Sequence, residues 1–389
     1  MDTRPDVRER QAGLRLAPLN VTGDFSVRWR APLLLLAFIS LFAGVAAGLA
    51  RLGWLFAGPA QSLSAMHGPL MVSGFFGTVI ALERAVALSR RWAYLAPLLA
   101  GLGGAFAMLG GSEQLAALLF AAGGAVLSAA SFVIYRQQRE LFTLTLVLGA
   151  ACWLLGNLAW LAGAPVSATV PWSIAFFVLT IAGERLELSR LLPPSPVAKR
   201  VFAALMLGML VAVTASTFAW SEGTLVLGAC LLGVALWLAR QDVARRTVRG
   251  KGLTRFIAVC LLSGYLWLAA SGLTILASGG LGYGGAAYDA ALHAVLLGFV
   301  FSMVFGHAPI IFPAVLRVAV PYSPYFYAPL ALLHASLIIR LAGDWMVSTD
   351  WRAWGGILNG VALLAFVLGM IAAVMRGRAA PGPTRAPGT

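Results

Sequence analysis

Twelve stretches of about 20 mainly apolar residues run through the chain, roughly 31–50, 62–83, 92–110, 114–134, 141–163, 167–187, 200–220, 222–240, 256–278, 288–312, 324–342 and 353–375. Each is long enough to cross the roughly 30 Å hydrocarbon layer of a bilayer as a helix. Backbone in hydrocarbon must satisfy its own N–H and C=O groups, so a row of such stretches leaves room for little but a helical bundle. Composition agrees, with 60% hydrophobic and 11% charged side chains, where a soluble domain carries about a quarter charged. A water-soluble globule is excluded. The expected fold is all-α integral membrane, with the lipid bilayer as its first partner.

The 28 Lys and Arg against 14 Asp and Glu give a net charge of +14, which alone would suit nucleic acid. Their placement decides otherwise. With an even span count and the N-terminus inside, all of these cations except Arg51, Arg340 and Arg352 fall on the inner side, the positive-inside pattern. The loop from Arg240 to Arg255 then faces anionic lipid, and no nucleic-acid partner is expected. Residues 1–30, with Arg4, Arg8, Arg10 and Arg15, are too long for a cleaved signal and read as a cytoplasmic tail. Residues 377–389, rich in Pro and Gly, read as a second, disordered one. The expected setting is a bacterial-type inner membrane with both termini cytoplasmic. Cys152, Cys230 and Cys260 lie inside apolar runs and read as packing residues.

An internal repeat adds to the span count. Ile80-Ala81-Leu82-Glu83-Arg84 closes span 2 and Ile181-Ala182-Gly183-Glu184-Arg185 closes span 6; Ser89-Arg90 and Ser189-Arg190 follow them. Span 10 fits the same register, since Met66-His67 aligns with Leu292-His293 and Ala96-Pro97-Leu98 with Ala328-Pro329-Leu330. Four spans per unit give three units, about 31–140, 141–240 and 256–376, within one transmembrane domain, 31–376. An even number of spans per unit makes the repeats parallel, related about the membrane normal. The architecture predicted is a pseudo-threefold bundle of about 12 helices.

All four histidines fall within spans, and a titratable ring in hydrocarbon marks a candidate functional site. His67 and His293 each lie roughly 7 to 8 Å below the outer surface by helix rise, at equivalent repeat positions. Two imidazoles at one depth are what a bis-histidine haem needs, one nitrogen on each face of the macrocycle. Gly68 and Gly74 on span 2, and Ala294 and Gly298 on span 10, would make room for a flat porphyrin. The competing reading is that each ring bonds a neighbouring carbonyl. His307 lies about 21 Å deeper and reads as a helix-end residue beside Pro309 and Pro313, with a second haem as the alternative. His334 sits mid-span 11. Arg340, near that span's outer end, suits either haem propionates or the interface. Met66, Met71 and Met303 offer soft Cu(I) ligands or ordinary packing. Glu83 with Arg84 and Glu184 with Arg185 read as inner helix-end ion pairs or a proton entry.

His67-Gly68-Pro69-Leu70-Met71 followed by Phe75-Phe76 resembles helix II of haem-copper oxidase subunit I, where such a run holds the low-spin haem. His293-Ala294-Val295-Leu296 with Gly298, Phe301, Met303, Gly306 and Phe312-Pro313 resembles that family's helix X. Gly264-Tyr265-Leu266-Trp267 and Tyr288-Asp289-Ala290-Ala291-Leu292-His293-Ala294 look like the later helices of the NnrS family, membrane haem-copper proteins linked to nitric oxide metabolism. The resemblance implies haem b at His67 and His293, copper, and either nitric oxide or a membrane or periplasmic redox partner. The chain departs from the pattern at the metals. Ala291 stands where the oxidases carry the high-spin haem ligand, span 6 has no histidine, and Ala65 and Gly68 stand where NnrS proteins read with a second histidine.

The sequence therefore predicts an NnrS-like b-type haem protein, in nitric oxide metabolism or membrane electron transfer, without the two-metal site of an oxygen or nitric oxide reductase. The alternative is a transporter or metal permease using the same histidines. The charge pattern predicts that a cysteine at Gly284 reacts with an impermeant thiol reagent in intact cells and one at Gly250 does not; the reverse labelling would invert the topology.

Overall fold

The computed structural model describes residues 24–54, 63–188 and 194–379. Twelve helices follow one another: α1 (Val27–Arg51), α2 (Ser64–Leu88), α3 (Leu95–Met108), α4 (Glu113–Gln137), α5 (Leu141–Leu161), α6 (Val166–Leu188), α7 (Pro196–Ala215), α8 (Trp220–Gln241), α9 (Gly252–Ala277), α10 (Ala286–Leu316), α11 (Pro324–Trp345) and α12 (Thr349–Ala379). Among the described residues, eleven helices are long and apolar enough to cross a membrane, and the chain is a multi-pass helical membrane protein.

The exception is the expected third span. Its start falls within a 3-10 turn, Arg91–Tyr94, leaving an α-helix of 14 residues, about 21 Å by helix rise. The end boundaries also shift. Arg30, read as part of the tail, is buried in the first turns of α1, where it binds Asp24 and donates to the carbonyls of Phe25 (2.9 Å) and Val315 (3.1 Å). Residues 377–379, read as tail, continue α12. The repeat residues Ser189-Arg190, the arginines before Asp24 and the tail beyond Ala379 lie outside the described residues.

Local chemistry marks several helix ends. Ser112 and Ser195 cap α4 and α7 by accepting from the backbone N–H groups of Leu115 and Ala198, and Pro196 at the first position of α7 has no N–H to satisfy. Helices α2 and α10 both stop on a residue in the left-handed region, Ser89 (φ 55°) and Arg317 (φ 53°).

Sequence neighbours pack against each other: α1 on α2, α5 on α6, α9 on α10, α4 on α5, α8 on α9 and α11 on α12. The most apolar window of α10 is 67% buried and that of α7 only 33%, so α10 lies inside the bundle and α7 at its rim. Close approach depends on glycine where a large ring fills the gap. A Cβ at Gly77 would stand 2.4 Å from Cζ2 of the buried Trp153. Gly77→Ala should therefore cost about 1–3 kcal/mol by overpacking, seen as a lower unfolding midpoint in detergent; an unchanged midpoint would mean that the indole has room to move.

Candidate functional site

A cavity of about 500 Å³ lies between α2 and α10, at the bundle end that carries Arg51, Gly285 and Arg352. Helices α1, α5, α6, α11 and α12 complete its wall. His67 and His293 both line it, with ring centroids 6.4 Å apart and ring planes 15° from parallel. The sequence placed the two at equal depth; the structure also brings their rings close together and nearly parallel.

The hydrogen bonds fix the chemistry of each ring. His67 Nδ1 lies 2.7 Å from the Gly44 carbonyl on α1, and His293 Nδ1 lies 2.8 Å from the Asp289 carbonyl one turn back on its own helix. A carbonyl only accepts, so Nδ1 carries the proton in both rings and each Nε2 keeps a bare lone pair. Among the described residues no protein group meets either Nε2.

The backbone around both rings departs from the α-helix in the same way. His67 follows a 3-10 turn, Ser64–Met66, and is succeeded by a π-helical segment, Leu70–Gly77. His293 ends an α-helical run and is succeeded by another, Ala294–Val300. At the far end of each segment a hydroxyl bonds back four residues, Thr78 to the Gly74 carbonyl (2.8 Å) and Ser302 to the Gly298 carbonyl (2.5 Å). Such π segments concentrate at functional sites because they re-aim the side chains on either side.

Of the glycines expected to make room, only Gly68 lines the cavity. Gly74 and Gly298 are corrected: a Cβ at Gly74 would stand 2.9 Å from Ser40 Oγ, and one at Gly298 would stand 2.4 Å from Trp267 Cγ, so both serve helix packing. The glycines that fit His67 sit on α1. Gly44 supplies the carbonyl, and a Cβ at Gly48 would stand 2.7 Å from Cε1 and Nδ1 of the ring. The Gly44-xxx-Gly48 spacing was a readable signal, since small residues four apart let membrane helices approach closely.

Arg340 lines the cavity near its mouth, beside Arg51 and Arg352. Its fork closes on Asp289, Nε to Oδ2 at 3.0 Å and Nη2 to Oδ1 at 3.1 Å. Asp289 Oδ1 is 3.3 Å from His293 Nδ1, which links the arginine to the histidine. Arg352 pairs with Asp344 at 2.7 Å. Asp289 stood in the sequence only as part of the Tyr288–Ala294 motif, with no partner assigned, and Asp344 only as a rare acid near a span end.

His334 and His307 stand apart from this site. His334 Nδ1 accepts from Trp267 Nε1 (2.9 Å) and its Nε2 lies 3.0 Å from Ser263 Oγ, so both ring nitrogens are occupied in a link between α9 and α11. His307 Nδ1 bonds the Met303 carbonyl (2.7 Å), and its Nε2 meets Arg185 Nη1 (3.3 Å). Arg185 grips Asp242 through Nε (2.7 Å) and Nη2 (3.2 Å), and Tyr265 donates to the same carboxylate at 2.6 Å. Sequence reading missed this buried cluster, because Asp242 lies in a basic loop and looked solvated. Arg84 pairs with Glu184 across α2 and α6 at 3.3 Å, and Arg185 with Asp242, so these ion pairs join different helices or loops instead of the sequence neighbours Glu83-Arg84 and Glu184-Arg185. Met71 lines the cavity, whereas Met66 and Met303 are buried in packing. Among the described residues no three His, Cys, Asp or Glu side chains gather as a metal-ion site.

The chain belongs to the family described as a domain of unknown function, DUF8744, which matches residues 30–375. No curated protein and no solved structure matches it.

Arg185 and Asp242 are 4% and 1% exposed, and removing one partner of such a pair strands the other charge. Asp242→Ala should therefore cost about 3–5 kcal/mol, measured by thermal unfolding, whereas a loss below about 1 kcal/mol would place the pair in the range of solvated ones.

Proposed function

We propose that this protein holds one haem b between His67 and His293, and serves membrane electron transfer or the handling of nitric oxide. The observation that carries the reading is the separation of the two rings. A metal–imidazole bond of about 2 Å on each side, with the ring centres about 1.1 Å beyond their nitrogens, puts two axial imidazoles about 6.3 Å apart; the rings here are 6.4 Å apart with both Nε2 lone pairs bare. A volume of about 500 Å³ falls within the range of cofactor pockets. Arg51 and Arg340 at the mouth suit the two propionates: Arg51 has no ion-pair partner among the described residues, and Arg340 uses only Nε and Nη2 on Asp289. Haem would supply one-electron chemistry. The protein's part would be to present two bare nitrogens within one cavity, exclude water from the apolar flanks and neutralise the acidic edge.

The reading extends to the architecture of three parallel four-helix units resembling haem-copper oxidases. Supporting it are the matched π segments after His67 and His293, the matched Thr78 and Ser302 back-bonds, and the left-handed stops at Ser89 and Arg317. The charge pattern puts the cavity mouth on the outer side of the inner membrane, within reach of a periplasmic redox partner. Two bare nitrogens beside Met71 would also suit a soft metal cation in transit, the permease reading, but that reading leaves most of the cavity unexplained. Copper has no assigned ligands here.

The purified protein should be coloured, with a low-spin haem spectrum in both oxidation states. His67→Ala or His293→Ala should abolish or convert that spectrum, and His307→Ala or His334→Ala should preserve it. Colourless protein from haem-replete cells, or a spectrum that survives both cavity substitutions, would overturn the reading.

A further inference from the structure

We infer that the two histidines are unequal: Asp289, locked by Arg340, makes His293 the retained anchor, and His67 is the side that yields to an incoming small neutral ligand such as a diatomic gas. The inference rests on the haem reading and adds to it the identity of the exchangeable face.

The asymmetry lies in what each Nδ1–H meets. His293 Nδ1 has both the carbonyl of Asp289 at 2.8 Å and its carboxylate oxygen at 3.3 Å. Arg340 orients that carboxylate with two bonds, 3.0 and 3.1 Å. A carboxylate beside the outer nitrogen draws its proton and raises electron density on the other, which makes the ring a stronger donor to a metal. His67 has the neutral carbonyl of Gly44 alone, at 2.7 Å. Among the described residues no carboxylate pairs with it.

The backbone points the same way. His293 and its partner Asp289 lie one turn apart on a single α-helical run, Ala286–His293, so ring and partner move together. The partner of His67 belongs to another helix, and His67 itself begins its α-helical turn directly after the 3-10 turn Ser64–Met66. Withdrawing His67 breaks one bond between helices. The cavity continues past it to Val166 and Val170 on α6, where a displaced ring would find space. Asp289 is thus a positioning residue, acting on the site through His293.

The test uses full-length haem-loaded protein, carbon monoxide as the probe, and resonance Raman spectroscopy of the five-coordinate ferrous form left after photolysis. Its iron–histidine stretch reports which ring stayed. If His293 stays, Asp289→Asn lowers that frequency and Asp289→Glu restores much of it. Gly48→Ala, whose Cβ would press on the His67 ring, should speed carbon monoxide binding several-fold and leave the stretch at its wild-type value. A stretch indifferent to Asp289→Asn overturns the inference, as does failure of the wild type to bind carbon monoxide at all, or Gly48→Ala protein that binds it no faster. A wild type without a low-spin spectrum is a different result, and fails the haem reading itself.

Discussion

Hydrocarbon offers no hydrogen bonds to an exposed peptide group, so the backbone must close its own, and any departure from the helix must be sheltered by protein. The two π segments are sheltered in this way. Leu70–Gly77 and Ala294–Val300 lie on helices at the heart of the bundle, and most of their residues are buried. Widening the turn shifts the backbone bonding by one residue, and the side chains above rotate relative to those below. The histidines precede each segment and line the cavity, while Phe75 and Phe76 at the end of the first and Phe301 just after the second gather together. The site exists because the same distortion occurs on two facing helices.

Charge follows a similar logic. An unpaired ion in low dielectric is costly, and a buried pair adds little net stability over apolar packing, so a pair that is kept is better understood as fixing position. Two arginine forks make the point at opposite ends of the bundle. Arg185 joins the end of α6 to Asp242 beyond α8, with Tyr265 of α9 and His307 of α10 attached. Arg340 joins α11 to Asp289 of α10, immediately behind a cavity histidine. The first ties helix ends together; the second places a carboxylate against a ring that lines the cavity.

Much of the fold was legible because the bilayer imposes length and polarity on every segment. Most helix positions and the nearness of His67 to His293 follow from hydropathy and depth. Direction was harder. A glycine announces that something comes close without saying what, so Gly74 and Gly298 looked like cofactor glycines and prove to face Ser40 and Trp267, while Gly44 and Gly48, on a helix with no histidine, shape the site. The π segments have no residue signature, since a slip of hydrogen bonding changes no side chain. Asp242 was hidden by its basic neighbours, and only tertiary contact shows that it answers Arg185. The short α3 was hidden too, because apolar composition does not distinguish 3-10 winding at Arg91–Tyr94 from the first turn of a longer helix.

The two polar regions are set apart by apolar side chains. Between the cavity and the Arg185 cluster stands a floor of phenyl rings, Phe76 against Phe177 at 4.9 Å, Phe76 against Phe301 at 5.0 Å and Phe75 against Phe301 at 6.0 Å. Below the floor, a second space of about 70 Å³ is bounded by side chains such as Phe38, Val79, Phe305 and Phe366, all apolar, and an apolar pocket of that kind stays dry. A cation released from His67 and His293 would have to cross that region without a ligand, at the full cost of burying a charge unpaired. An electron has no such need, and a neutral diatomic molecule loses little on entering an apolar space. In this conformation the same floor would also shield the two histidines from water on the side of the Arg185 cluster. In this conformation the two histidines share one cavity with Arg51 and Arg340 above that apolar floor.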